Sequence, residues 1–285
     1  MRVKLKVSGY PLLCCTYSKS YEFISIGCED SVIYIYSAFN GNLALMLKGH
    51  TYGVLTSVFN PDDNRVHSAG KEKQVFTWDI TQTSIISKYS GHASDILDIK
   101  VKDTNTVLTA SLDGTGKIWD LRSKKVVQTL NHATDGLLSI NCSKNEIITA
   151  SSDGVVRIYD IRHHKVHCDT LDSVVSDLDL YLDNKHYLAI LQEGLIKTID
   201  KNNGKLLQYT SITPFQGIQK CKLMNKDKFI VYGNSKGNLS MYDQSFNLVN
   251  EIPCHTGYLR DIATHKSENK CITVGDDGFL HIIDN

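Results

Sequence analysis

Residues 91–120 read GHASDILDIKVKDTNTVLTASLDGTGKIWD, and this stretch decides the fold. It begins with Gly-His and ends with Trp-Asp. Between them lie the apolar runs ILDIKV and TVLTAS, the polar turn LDGTG and the short run KIW. Short runs of β-branched and apolar residues, separated by Asp, Asn and Gly, predict three strands joined by turns. A unit of this length cannot bury its apolar surface alone, so we expect copies of it on both sides.

The copies are marked by a dipeptide in which an aromatic or large apolar residue precedes Asp or Ser. The marks are Tyr36-Ser37, Trp78-Asp79, Trp119-Asp120, Tyr159-Asp160, Ile199-Asp200, Tyr242-Asp243 and Ile283-Asp284. Successive marks are 40 to 43 residues apart along the whole chain. In period and in its Gly-His and Trp-Asp dipeptides the chain resembles the WD-repeat proteins, which implies an all-β, seven-bladed WD-repeat β-propeller.

The repeat predicts a single domain, residues 1–285, made of seven blades. The predicted blades are residues 8–47, 48–89, 90–130, 131–170, 171–210, 211–252 and 253–285. The last blade has room for only three strands before the chain stops. Residues 2–7, RVKLKV, alternate basic and apolar side chains, as a half-buried strand with a charge-protected edge does. We therefore expect residues 2–7 to add the fourth strand and to close the ring.

The overall composition argues against several classes of partner. The chain has 31 Lys and Arg against 31 Asp and Glu, so no net charge draws it to nucleic acid or to an anionic membrane. No apolar run approaches the roughly 18–20 residues of a membrane helix. The eight cysteines are scattered and form no CxxC pattern, which predicts reduced thiols in an intracellular protein.

A histidine, an aspartate and a hydroxyl residue recur with the aromatic mark and could suggest a catalytic triad. Because the set repeats from blade to blade, we interpret it as the buried hydrogen-bond network of WD repeats, in which the loop His bonds the turn Asp. The predicted members of this network are His50, His92, Asp113, Trp119, His132, Asp153, Tyr159, His255 and Asp277.

Two other patterns only imitate chemical sites. His163, His164, His167 and Cys168 could suggest zinc, but they lie in a predicted outer strand, where adjacent side chains point to opposite faces. The segment 114–117, GTGK, lacks the first glycine and the final Ser or Thr of a phosphate-binding loop. We expect no enzyme activity, no cofactor and no metal.

The loops after Gly-His and the turns between second and third strands share one rim of a propeller. Exposed aromatic residues and arginine are typical anchors of protein interfaces. The candidate partner-binding residues on this rim are Tyr52, Lys71, Lys73, Asp95, Asp135, Phe215, Tyr258 and Arg260.

The opposite rim suggests an alternative. The sequences Trp119-Asp-Leu-Arg122 and Tyr159-Asp-Ile-Arg162 resemble the docking motif of substrate receptors for cullin-type ubiquitin ligases. In that interpretation Arg122 and Arg162 would bind the ligase adaptor.

Longer segments resemble the mitogen-activated protein kinase organizer family of small seven-bladed propellers. They are SGHASDILDIKV, WDLRSKKVVQTLNHATDGLLSI, ITASSDGVVRIYDIR and LIKTIDKNNGKLLQYT, all within residues 78–243. The resemblance implies a non-catalytic scaffold, a monomeric propeller that acts within larger complexes. Its implied partners are kinase-cascade components in the cytoplasm or spliceosome subunits in the nucleus, with no direct binding to nucleic acid or membrane. The residues do not decide between these two roles.

Overall fold

The computed structural model describes residues 2–163, 165–212 and 219–284, and every helix or strand element in those ranges is a β-strand. The strands form seven four-stranded antiparallel sheets, each of which is one blade of a closed ring. The predicted all-β, seven-bladed propeller is therefore confirmed. Within the described ranges, no helix is long and apolar enough to traverse a membrane.

Each blade has an inner, two middle and an outer strand, which follow chain order in blades one to six. The strands are β1 (Arg2–Lys6), β2 (Leu12–Tyr17), β3 (Phe23–Cys28), β4 (Val32–Ser37), β5 (Leu43–Lys48), β6 (Val54–Phe59), β7 (Arg65–Gly70), β8 (Gln74–Asp79), β9 (Ser84–Ser90), β10 (Ile96–Asp103), β11 (Thr106–Ser111), β12 (Gly116–Asp120), β13 (Lys125–Leu130), β14 (Leu137–Cys142), β15 (Glu146–Ser151), β16 (Val155–Asp160), β17 (Lys165–Thr170), β18 (Val175–Leu180), β19 (His186–Leu191), β20 (Leu195–Asp200), β21 (Leu206–Ser211), β22 (Cys221–Met224), β23 (Phe229–Gly233), β24 (Asn238–Asp243), β25 (Leu248–Pro253), β26 (Leu259–Thr264), β27 (Lys270–Gly275) and β28 (Phe279–Asp284). Blade one is β2–β5, and each later blade takes the next four strands, until blade seven combines β26–β28 with β1.

The N-terminal strand closes the ring. β1 runs antiparallel to β28, with Arg2 opposite Ile283 and Lys6 opposite Phe279. The inner strands neighbour one another around the axis, and β26 of blade seven lies beside β2 of blade one. The expected closure is confirmed, although the regular strand ends at Lys6 rather than at residue 7.

The hydrophobic core is divided into seven clusters, one at each junction between adjacent blades. In β11, Val107 packs toward blade two while Leu108 packs toward blade four. A middle strand is therefore buried on both faces, and this explains why TVLTAS is a continuous apolar run and not an alternating one.

Candidate functional site

A directed chain of hydrogen bonds fixes the loop of blade three. Trp119 Nε1 donates to Thr109 Oγ1 at 2.9 Å, and Thr109 lies 2.7 Å from His92 Nε2. His92 Nδ1 lies 2.8 Å from Asp113 Oδ2. Since the tryptophan can only donate and the carboxylate can only accept, the imidazole carries its proton on Nδ1 and accepts from Thr109.

The charges of this chain suit a structural role. Burial lowers the pKa of His92, although Asp113 opposes the shift, so the imidazole is neutral at pH 7. Burial raises the pKa of Asp113, but hydrogen bonds from Thr115, Ala93 and His92 outweigh it and lower that pKa to about 2. Thr109, the hydroxyl in this set, is completely buried, so a substrate has no access to it. The arrangement therefore holds the loop and offers no nucleophile.

Blades two and seven contain the same arrangement with different partners. His50 contacts Glu72 Oε2 and Ser68 Oγ, both at 2.7 Å, and Trp78 donates to Ser68 at 2.8 Å. Glu72 takes the place of the turn aspartate, and the sequence analysis missed it. Its position 22 residues after His50, against 21 residues between His92 and Asp113, was the available signal.

In blade seven, His255 bridges the turn and the second strand. Its Nδ1 lies 2.8 Å from Asp277 Oδ1, and its Nε2 lies 3.0 Å from Thr273 Oγ1. Ile283 stands where blade three has tryptophan, so the chain of bonds ends at the threonine.

Blade four departs from the prediction, because its histidine does not join the network. His132 is exposed, and among the described residues no hydrogen bond joins it to Asp153. Instead Arg157 donates two hydrogen bonds to the Asp153 carboxylate, at 3.1 and 2.8 Å. A bidentate pair of guanidinium and carboxylate is stronger than a single hydrogen bond from a ring nitrogen, so Arg157 takes the place that the network histidine holds in blade three. The predicted pairing of His132 with Asp153 is wrong, and the His132 ring rests 5.5 Å from that of Tyr159.

Replacing Asp113 by alanine should lower the free energy of unfolding by about 2 kcal/mol, because it leaves the buried His92 Nδ1–H without an acceptor. Chemical denaturation measures this loss. The matched control is Asp135→Ala, an exposed carboxylate in the neighbouring loop, which we expect to change stability by less than about 0.5 kcal/mol. Equal losses in the two variants would contradict a network centred on Asp113.

Blade five, which lacks the loop histidine, is tied in another way. Asp169 at the end of the blade-four outer strand accepts hydrogen bonds from the Tyr187 hydroxyl and from His167 Nε2, both at 2.7 Å. Tyr187 is fully buried in β19, so this contact links blades four and five.

The central channel, a cavity of about 530 Å³, is lined by charged side chains of alternating sign. Lys222 Nζ lies 2.6 Å from Asp177 Oδ2, and Lys100 Nζ lies 2.9 Å from Asp98 Oδ1. The same aspartates reach the next blade, since Asp98 accepts from Ile140 N at 3.0 Å. These channel charges were missed, and the alternation in SDLD at residues 176–179 was their sequence signal.

The channel bonds hold the blades that lack the histidine. Asp179 accepts from Leu223 N at 2.9 Å, which joins blade five to blade six. Asp261 accepts from Cys15 N at 2.9 Å and joins blade seven to blade one. Burial opposes ionisation of Asp177, but Lys220 and Lys222 outweigh it and hold its pKa well below the ordinary value.

In the part of the chain that the structure describes, one group of side chains has the geometry to attract a metal, namely His255, Asp277 and His281. Both nitrogens of His255 already make hydrogen bonds, and the Arg2 guanidinium lies 3.2–3.3 Å from His281 Nδ1. An imidazole that accepts from arginine at Nδ1 carries its proton on Nε2 and cannot ligate there. The adjacent positive charge also repels a cation, so this group is structural.

The histidine-rich segment of blade four does not converge on one point. His163 contacts Asp160, whereas His167 contacts Asp169. Cys168 pairs with Arg157 in the sheet and His167 with Ile158, so the two point to opposite faces. His164 lies outside the described residues.

The upper rim is formed by the loops that precede each inner strand and by the turns between the second and third strands. Tyr52 and Tyr258 are exposed there at 61% and 45%. Arg260 pairs with Asp276 through bonds of 2.6 and 3.0 Å, and Lys71 pairs with Glu29.

The remaining candidates of the upper rim differ in exposure. Lys73 and Asp135 are exposed, while Asp95 is half-buried. Phe215 lies outside the described residues. The structure adds Tyr10, exposed at 59%, which stands where other blades carry the loop histidine and which the candidate set omitted.

The two candidate adaptor-docking arginines lie on the opposite, lower rim, just after the third strands of blades three and four. The side chains of Arg122 and Arg162 are both largely exposed. Each stays near the aspartate of its own repeat, with Nε 3.4 Å from Asp120 and 3.6 Å from Asp160.

Comparison with known proteins agrees with this geometry. The model of the WD domain, G-beta repeat, matches residues 41–79, 83–120 and 124–160. Each match begins one or two residues before the outer strand of one blade and ends with the third strand of the next, so sequence repeat and blade are offset by one strand. The offset is the reason why the N-terminal strand must complete the last blade.

Three relatives illustrate the range of similarity. A WD repeat domain-containing protein 83 homolog of Dictyostelium discoideum is 28% identical over 94% of this chain and 93% of its own length. Autophagy-related protein 16 of Arabidopsis thaliana is 21% identical over the whole chain, which spans 48% of that relative. The Set1 complex component swd2 of Schizosaccharomyces pombe is 28% identical over 41% of this chain and 33% of its own length. With the strand topology and the loop networks, these matches lead to one conclusion: the chain carries WD repeats and folds as a seven-bladed WD-repeat β-propeller.

Proposed function

We propose that this propeller is a non-catalytic scaffold that binds other proteins through its rims. The observation that carries the proposal is the combination of a closed, internally braced ring with exposed tyrosines on an upper rim drawn from several blades. A rigid ring that presents several loop surfaces at once can hold two partners close together and raise their effective concentration. The buried hydrogen-bond networks and the channel ion pairs described above stabilise the ring.

The finer proposal is that the scaffold is of the mitogen-activated protein kinase organizer type. It is supported by the resemblance of residues 78–243 to that family and by the similarity, over nearly the full length of both chains, to the Dictyostelium WD repeat domain-containing protein 83 homolog. Its partners would then be kinase-cascade components or spliceosome subunits, and it would occur in cytoplasm and nucleus.

Affinity purification of the tagged full chain from its own cells, followed by mass spectrometry, tests the proposal. We expect kinase-cascade components or splicing factors to be enriched. Changing Tyr52 and Tyr258 to alanine on the upper rim should reduce that enrichment severalfold, because exposed tyrosines are frequent binding hot spots. Recovery of no stable partner would contradict the scaffold itself.

The variant Arg122→Glu/Arg162→Glu tests the alternative on the lower rim. Under the organizer proposal it leaves the recovered partners unchanged. Recovery of a cullin adaptor by the wild-type chain, lost in this variant, would favour the ubiquitin-ligase receptor instead.

A further inference from the structure

Along blades seven and one to five, the upper rim forms two arcs of different chemistry. The aromatic arc consists of Tyr258, Tyr10 and Tyr52, from blades seven, one and two. The acidic arc consists of Asp95, Asp135, Asp172 and Glu193, from blades three, four and five. These two arcs follow each other around the ring.

The tyrosines of the aromatic arc are separated only by turns of the neighbouring blades. Asp276 N donates to the Tyr258 carbonyl at 3.0 Å, and Gly278 in the same turn lies against the carbonyl of Tyr10. On the other side, Glu29 N donates to the Pro11 carbonyl at 3.0 Å, and the Glu29 carboxylate abuts Gly53, next to Tyr52. The arc is therefore a continuous stretch of the rim.

The two carboxylates that lie beside Tyr258 and Tyr52 are already paired with cationic side chains. Asp276 is bound by Arg260, and Glu29 is bound by Lys71. Toward the axis the arc meets the half-buried Leu13 and Leu55 at the mouth of the channel. What remains for a partner is an aromatic and aliphatic surface, and exposed patches of this kind mark interaction sites.

The acidic arc is equally continuous. Leu112 N of the blade-three turn donates to the Asp95 carbonyl at 3.0 Å, and Gly114 of that turn faces the carbonyl of Asp135. Gly154 of the blade-four turn lies against Ser173, next to Asp172. Loops and turns thus interlock along three blades.

Nothing in these loops balances the acidic charge. The segments 91–95, 112–115, 131–136, 152–154, 171–174 and 192–194 contain six acidic residues and no lysine or arginine. Asp113 is used by His92 and Asp153 by Arg157, which leaves the four carboxylates of the acidic arc. A chain with zero net charge therefore carries a concentration of negative charge on three consecutive blades of one rim.

We propose that the upper rim binds an extended segment of a partner protein that has aromatic or aliphatic residues at one end and lysines or arginines at the other. The inference rests on the proposed scaffold function and names the chemistry of its partner. The apolar end packs on the aromatic arc, and the basic end lies along the acidic arc. Lys73 lies in the turn of blade two, between the two arcs, and repels positive charge. We therefore expect the basic residues of the partner to contact blades three to five only. Complementary charge gives the contact its direction around the ring.

The test uses a random-sequence peptide library displayed on phage and selected on the immobilised full chain. We expect selected peptides that combine Lys or Arg with aromatic or aliphatic residues. Their affinities are then measured by fluorescence anisotropy. The variant Asp95→Lys/Asp135→Lys/Glu193→Lys should bind such a peptide about 30-fold more weakly, since three attractive charges become repulsive.

The matched control is Glu22→Lys/Asp62→Lys/Glu268→Lys, which changes the net charge equally but lies in exposed turns of the lower rim. We expect less than a threefold effect from it. For the apolar end, Tyr52→Ala should weaken binding about tenfold, whereas the equally exposed Tyr209 on the blade-five outer strand can be changed to alanine without loss. Thermal melts establish that all variants fold.

Three results would overturn the inference: no enriched peptides, enriched peptides without basic residues, or equal weakening by the upper-rim and lower-rim reversals. The proposed function fails separately. If cellular partners are captured and the upper-rim reversal retains them all, the scaffold stands and this inference falls. If no partner is captured at all, the scaffold falls.

Discussion

We expect deletion of residues 1–8 to lower the melting temperature by roughly 10 °C. β1 supplies the fourth strand of blade seven and pairs with β28 along its whole length. Its half-buried side chains Val3 and Leu5, together with Val7, each contribute about 1 kcal/mol by burial. The lost ladder hydrogen bonds add about 0.5–1.5 kcal/mol each, which brings the total to about 5 kcal/mol.

The deletion also opens the junction between blades seven and one. Leu5 and Val7 pack against the cluster that fills this junction, and Leu5 lies directly on Gly41 of blade one. Lys6 Nζ donates to the Asp277 carbonyl at 2.7 Å, and Arg2 reaches the carbonyl of Pro253. A propeller without this strand exposes both faces of the junction.

Two point variants separate packing from chain length. Leu5→Asp places a charge on the packed face and should destabilise strongly, whereas Lys4→Asp lies on the exposed face and should have a small effect. Calorimetry or thermal circular dichroism gives both values. A deletion variant that melts at the wild-type temperature would show that β1 does not close the ring.

The second large effect is a loss of stability between pH 7 and pH 5. Burial, with a smaller contribution from Arg65, lowers the pKa of His67 to about 3. The pKa of His67 in the folded protein is below its ordinary value of about 6.5. The stabilising contribution of this neutral histidine to the free energy of unfolding is therefore fully present above pH 6.5 and is lost as the pH falls toward 3. At pH 5 the unfolded chain binds a proton at residue 67 that the folded protein does not bind, and this difference lowers the free energy of unfolding by about 2 kcal/mol.

Other buried groups also affect how the free energy of unfolding changes with pH. Burial also lowers the pKa of His50, His92 and His255. Like His67, these three histidines therefore reduce the stability of the fold as the pH falls. Burial raises the pKa of Asp227 and Asp261, and these two carboxyls act in the opposite direction. Only a variant of His67 isolates its own share.

The informative variant is His67→Leu, because Leu108 and Ile148 occupy the equivalent buried positions of blades three and four. Denaturant unfolding at several pH values should show a slope reduced by the equivalent of one proton and a gain of about 2 kcal/mol at pH 5 relative to pH 7.5. Thr77→Val removes the hydrogen-bond partner of His67 and should keep the wild-type slope. An unchanged slope in His67→Leu would exclude this histidine as the titrating group.

The strand order and the closure of the ring could be predicted because they depend on local rules. Alternation in RVKLKV, continuous apolar runs such as TVLTAS and the seven dipeptide marks each report burial of nearby residues. The hydrogen-bond network of blade three could also be predicted from the sequence, since its residues keep a regular spacing from the aromatic residue of the dipeptide mark.

The departures occurred where two side chains compete for one partner or where distant segments meet. His132 has the spacing of a network histidine, yet Arg157 binds Asp153 because its guanidinium comes within 2.8 Å of the carboxylate. The Asp177–Lys222 ion pair of the channel joins two blades, and the two arcs of the rim bring together residues that are far apart in sequence. Repeat spacing determines which residues begin a loop or face a neighbouring blade. The distances that decide which atoms form hydrogen bonds, and which charges stay unpaired, are set only when the ring closes.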